Sequence, residues 1–158
     1  MFLPFIFIDE SLMQIDSAFE DDRTFECSES DEQWRYCAEF DYYKTPVLAF
    51  FYSKDDYIQR VVLEAEGTIS TLSQLQYNLR RDGFEIAKLT HSGEVFDVKL
   101  QVEVNALESV DQALIEFVNR HHSDMPFKMT LNKVGSQSLI QVIVRYRPAY
   151  LSLTFSRD

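Results

Sequence analysis

The stretch Glu94-Val-Phe-Asp-Val-Lys-Leu-Gln-Val-Glu-Val104 alternates apolar and polar residues almost throughout. Phe96, Val98, Leu100, Val102 and Val104 fall on one side of an extended chain, and Asp97, Lys99, Gln101 and Glu103 on the other. A period of two predicts a strand with one buried and one wet face. Such a strand needs cover, and the segments on either side of it can supply it. Leu72, Leu75 and Leu79 form an apolar stripe that predicts a helix over 70–82, with Arg80 and Arg81 at the cation-favouring end and Gly83 as its stop. Val110, Ala113, Leu114, Phe117 and Val118 predict a second helix, opened by Ser109 with Gln112 three residues on as a capping box.

Working outward, Phe84–Leu89 reads as a strand that turns through Thr90-His-Ser-Gly93 into the central stretch. Val47–Tyr52 and Tyr57–Glu66 read as a β-hairpin joined by Ser53-Lys-Asp-Asp56. Phe127–Val134, Leu139–Arg147 and Leu151–Phe155 each alternate and predict three more strands. From Tyr57 to Val134 the order is strand, helix, strand, strand, helix, strand. That order predicts an α+β fold with a ferredoxin-like split βαβ core, two helices on one face of an antiparallel sheet, and extra N- and C-terminal strands. The chain reads as a single domain over 1–158, with an acidic, aromatic elaboration over 1–56, the core over 57–134 and C-terminal strands over 135–158. Within the elaboration, Phe2–Ile8 reads as an edge strand, Ser11–Phe19 as a short helix and residues 20–32 as an acidic loop. Gln33–Tyr43 reads as ordered, with periodicity compatible with a helical turn or a strand.

Charge is distributed unevenly. The net charge is −11, and residues 1–66 carry 16 acids and 5 bases whereas residues 67–158 carry 10 of each. Fourteen of the 22 aromatic residues also lie in residues 1–66.

Several chemistries are disfavoured by these patterns. The four glycines stand far apart, so neither a P-loop nor a GxGxxG turn can be written. No apolar run approaches the roughly 20 residues that span a bilayer. Met1–Ile8 lacks a basic leader and a small-residue cleavage site, so the protein is expected to be cytoplasmic, with Cys27 and Cys37 reduced. Direct nucleic-acid binding is disfavoured by the net charge and by the absence of a basic, aromatic central strand. No cofactor is expected, and no metal: Cys27 and Cys37 have no zinc-knuckle spacing, and His121-His122 read as cations closing a helix.

What remains is recognition of another protein. Aromatic anchors ringed by charge suit a steered interface. Asp21, Asp22, Asp31 and Glu32 are the expected steering charges, and Trp34, Tyr36 and Tyr43 the expected anchors. The chain therefore reads as a non-catalytic acidic interaction module, of the inhibitor or immunity-protein kind, that binds a basic partner such as a nuclease. The alternative is a small enzyme or ligand-binding domain on the open sheet face. There His91 occupies a loop tip, and Arg145 with Arg147, two apart on one strand, are placed to grip a carboxylate or phosphate. A homo-oligomer pairing exposed strand edges is the third reading.

Overall fold

The computed structural model describes residues 24–27, 35–54, 57–120, 126–135 and 139–157. In chain order these hold β1 (Thr24–Glu26), β2 (Arg35–Tyr42), β3 (Thr45–Lys54), β4 (Tyr57–Ala65), α1 (Ile69–Arg81), β5 (Phe84–His91), β6 (Glu94–Asp97), α2 (Val98–Val104), α3 (Leu107–Arg120), β7 (Phe127–Lys133), β8 (Ile140–Arg147) and β9 (Tyr150–Arg157). Among the described residues the strands form one antiparallel sheet in the order β1-β2-β3-β4-β9-β8-β7-β5-β6. The strand expected over Phe2–Ile8 and the helix over Ser11–Phe19 lie outside the described residues.

Alternation dictates which face is covered. Val61 and Leu63 of β4 pair with Phe155 and Leu153 of β9, and Val142 and Val144 of β8 pair with Leu131 and Met129 of β7. All are buried and share one cluster with Leu72, Leu75 and Leu79 of α1 and Val110 and Phe117 of α3. Each fully buried leucine contributes roughly 2 kcal/mol of transfer free energy to that inner face. Thr68 starts α1 by accepting the Thr71 amide at 3.1 Å, and Gly83, at φ 86°, stops it.

The α+β class holds, but the pairing is not that of a split βαβ core. In a ferredoxin-like sheet the strand before the first helix would lie beside the last core strand. Here β9 takes the edge of β4 and β8 takes the edge of β7, so the C-terminal hairpin stands between them. The hairpin is fully covered on its inner side in that position: Ile140, Val142, Val144, Tyr146, Leu151, Leu153 and Phe155 are all buried.

The central stretch changes conformation at Asp97. Its first four residues are β6, with Phe96 buried against Phe117 at 5.6 Å between ring centroids. From Val98 the chain is helical, and Leu100, Val102 and Val104 are 59%, 42% and 82% exposed. Two local causes act together. Asp97 caps α2 by accepting the Leu100 amide at 3.2 Å. The ladder also ends there: Asp97 pairs with Lys88, and β5 shifts register between Ile86 and Lys88, so no straight edge continues.

Three smaller expectations change as well. Thr24–Glu26, expected as loop, pairs with β2. Cys27 and Cys37, expected as thiols, form a disulfide with Cα atoms 5.9 Å apart; antiparallel β1–β2 pairing brings the two together. Helix α3 begins at Leu107, two residues before the expected Ser109 cap, with the Ser109 and Val110 amides both bonded to the Ala106 carbonyl.

Candidate functional site

The outer face of the sheet carries no described helix, and register sets its side chains in rows. Glu39 of β2 pairs with Leu48 of β3, Leu48 with Glu64 of β4, and Glu64 with Ser152 of β9. Ser152 pairs with Arg145 of β8, Arg145 with Lys128 of β7, and Lys128 with Thr90 of β5. One row therefore runs acid, apolar, acid, hydroxyl, cation, cation, hydroxyl across seven strands. The next row adds Asp41 and Pro46 at the acidic end and Tyr150 and Arg147 at the basic end.

Two open depressions follow from these rows. The acidic one, about 630 Å³, is lined by Glu39, Asp41, Glu64 and Glu66 around Pro46, Leu48 and Tyr150. The basic one, about 550 Å³, is lined by Lys128, Arg145 and Arg147 with Thr90, Ser92 and Ser152. Tyr150 borders both. Its hydroxyl donates to Glu64 Oε1 at 2.9 Å, and the Arg147 guanidinium lies over its ring at 4.6 Å. Burial raises the Tyr150 hydroxyl above the usual phenol range, reinforced by the hydrogen bond to Glu64 and that group's charge. Tyr150 thus holds a carboxylate on one side and a guanidinium on the other. The β8–β9 turn beneath it rests on Gly67, whose carbonyl accepts the Ala149 amide at 3.3 Å.

The residues expected to bind a partner are placed as follows. Asp21, Asp22, Asp31, Glu32 and Trp34 lie outside the described residues, as do His121 and His122. Tyr36 is in β2, opposite Phe51. Tyr43 is the first residue of the two-residue β2–β3 turn, at φ 57°, and is half-buried. Its hydroxyl donates to Asp82 Oδ1; Tyr42 donates to Oδ2 of the same carboxylate at 2.5 Å, and Lys133 Nζ to the Asp82 carbonyl at 2.6 Å. Burial, then Asp82, holds Tyr42 well above the usual phenol range and pushes Tyr43 up to about 12. Tyr43, expected as a partner-binding anchor, therefore joins the β2–β3 turn to the end of α1.

The alternative ligand set does not converge. Arg145 and Arg147 are exposed together on the outer face, but His91 is 2% exposed and lies on the covered inner face, paired with Phe127 and Glu94. The expected loop tip is narrower than Thr90–Gly93, since only Ser92 and Gly93 form the turn, at φ 49° and 82°, and β5 carries His91 into the core layer. Glu39 with Asp41, Glu64 with Glu66, and Arg145 with Arg147 are each spaced two apart. That spacing was the available signal that each pair shares a face; only the sheet order brings the two acidic pairs together.

These features define a class by architecture: an α+β protein with a large antiparallel sheet, the described helices on one face, and rows of opposite charge on the other, where Cys37 and Phe50 are nevertheless buried. No known protein family, curated protein or solved structure matches the chain. Among the described residues no group of His, Cys, Asp or Glu is arranged to hold a metal ion, and no helix is long and apolar enough to cross a membrane.

Proposed function

We propose that the protein is a non-catalytic interaction module whose acidic outer face, over β2–β4, receives a cationic segment of a basic protein partner. The supporting observation is the set of four carboxylates, Glu39, Asp41, Glu64 and Glu66, around the apolar floor of Pro46, Leu48 and Tyr150. Such a surface steers a cationic partner by its field and offers apolar contact once docked. Blocking a basic cleft, as an inhibitor or immunity protein of a nuclease does, is the functional consequence we assign to that contact. The cytoplasm belongs to the same proposal, against the Cys27–Cys37 disulfide, which favours an oxidising compartment; thiol labelling in rapidly quenched cells decides, and a fully bonded pair there would refute the cytoplasmic reading.

A labelled peptide of about ten residues rich in Lys and Arg serves as probe, read by fluorescence anisotropy. Binding is expected to weaken steeply with salt, since surface attraction is screened within roughly 8 Å at physiological ionic strength. Glu39→Lys, Asp41→Lys and Glu66→Lys combined are expected to weaken it at least about ten-fold. Unchanged affinity in that variant would refute the acidic face as the docking surface.

A further inference from the structure

We propose that Lys128, Arg145 and Arg147 form a binding site for a tetrahedral phosphate dianion, free or as a monoester. The site is separate from the acidic face and does not depend on the function assigned there.

The first observation is electrostatic. Lys128 and Arg145 are direct cross-strand partners on the outer face, an arrangement in which like charges repel. Arg147 follows two residues along β8 on the same face, roughly 7 Å away along the strand. All three side chains are exposed. The outer-face residues that surround the Lys128–Arg145 pair are Thr90, Ser152, Thr130, Ile143 and Arg147, and no carboxylate is among them. The nearest acid in the row is Glu64, one strand beyond Ser152, and the Tyr150 hydroxyl holds it on the other side. The pair thus carries a repulsion that no described neighbour relieves, and a bound anion would relieve it.

The second observation is the donor set. Thr90 closes one end of the Lys–Arg row with a half-buried hydroxyl, and Ser152, buried and bonded to the Tyr150 hydroxyl, closes the other; both line the same depression of about 550 Å³. Guanidinium forks suit the oxygen pairs of phosphate, lysine adds a point charge, and hydroxyls donate to the remaining oxygens. Arg147 is already oriented by stacking over Tyr150. Three positive charges with the Thr90 hydroxyl beside them match a dianion with four oxygens better than a monocarboxylate with two. The net charge of −11 does not forbid this, because residues 67–158 are electrically balanced and the field of distant acids is screened.

Titration of ¹⁵N-labelled protein with inorganic phosphate, phenyl phosphate or acetate, at one pH and ionic strength, tests the site. Saturable shifts at Thr90, Lys128, Arg145 and Ser152 and at the two arginine Nε–H groups are expected with both phosphates. Tighter phenyl phosphate would identify the monoester as the ligand class, and equal affinities free phosphate. Arg145→Gln and Lys128→Gln, both at exposed positions and expected to fold, should each weaken binding about ten-fold, the loss of one charge-assisted contact. Shifts that fail to saturate, that acetate reproduces, or that survive in the double variant would overturn the proposal.

Discussion

Gly67→Ala should be far more destructive than a one-methyl change at a connecting residue suggests. A Cβ at Gly67 would lie 2.1 Å from the Tyr150 amide nitrogen, 2.7 Å from the Arg147 carbonyl oxygen and 2.8 Å from the Ala149 carbonyl carbon. Carbon contacts settle near roughly 3.5–4 Å, so the β8–β9 turn would have to retreat by about an ångström, and every clashing atom is backbone. Overpacking of this kind costs about 1–3 kcal/mol or more. Losing the hydrogen bond from Ala149 to the Gly67 carbonyl adds about 1 kcal/mol. A total of about 2–4 kcal/mol corresponds to a fall in Tm of roughly 10 °C for a chain of this size. Thermal unfolding followed by circular dichroism measures it. Gly135→Ala is the control: its Cβ meets nothing within 4 Å, leaving only the positive φ, at about 1–2 kcal/mol. Because the turn carries Arg147 and Tyr150, Gly67→Ala should also weaken both ligand probes at temperatures where it remains folded. A Gly67→Ala protein within about 0.5 kcal/mol of the parent, inside the range of an inconsequential surface change, would refute the close packing of Gly67 against the β8–β9 turn.

Two further outcomes follow from the clamp at Asp82 and from helix α2. Asp82→Ala leaves the Tyr42 and Tyr43 hydroxyls without their acceptor and should cost about 2–3 kcal/mol in denaturant unfolding. The folded state raises both phenols, so their contribution is complete below the ordinary value of 10.0 and falls away as pH rises toward about 12 for Tyr43. Unfolding midpoints measured between those pH values should decline in the parent and less in Asp82→Ala, with the burial part of the decline persisting. Val104→Lys, at a position 82% exposed, should change stability by less than about 0.5 kcal/mol; a loss of 2 kcal/mol or more would mean that the segment packs as the strand its alternation suggests.

Elements whose signal was local could be read from the sequence. Helix α1 has its Leu stripe, Thr68 and Gly83 within one short stretch, and β4, β7, β8 and β9 alternate cleanly enough to give the buried side directly. What decided the rest was non-local. The alternation after Asp97 is as regular as any in the chain, yet a bulge in β5 and a capping carboxylate outweigh it, because period two describes a strand only where a partner edge exists to receive it. Sheet order was hidden for a similar reason: the preference of β8 and β9 for the centre depends on both being buried on one side by helices elsewhere in the chain. The candidate site inherits that limit. Each acidic or basic pair was visible as an i, i+2 spacing, but the adjacency of Glu39 to Glu64 through Leu48, and of Lys128 to Arg145, exists only in the folded register. His91 fell to a one-residue difference in where the hairpin turns.

The most direct test of the acidic face is a chemical-shift map of the bound Lys- and Arg-rich peptide. Shifts are expected to concentrate at Glu39, Asp41, Leu48, Glu64, Glu66 and Tyr150 and to fade as salt is raised. A footprint on α2 and α3, or one insensitive to salt, would contradict docking there.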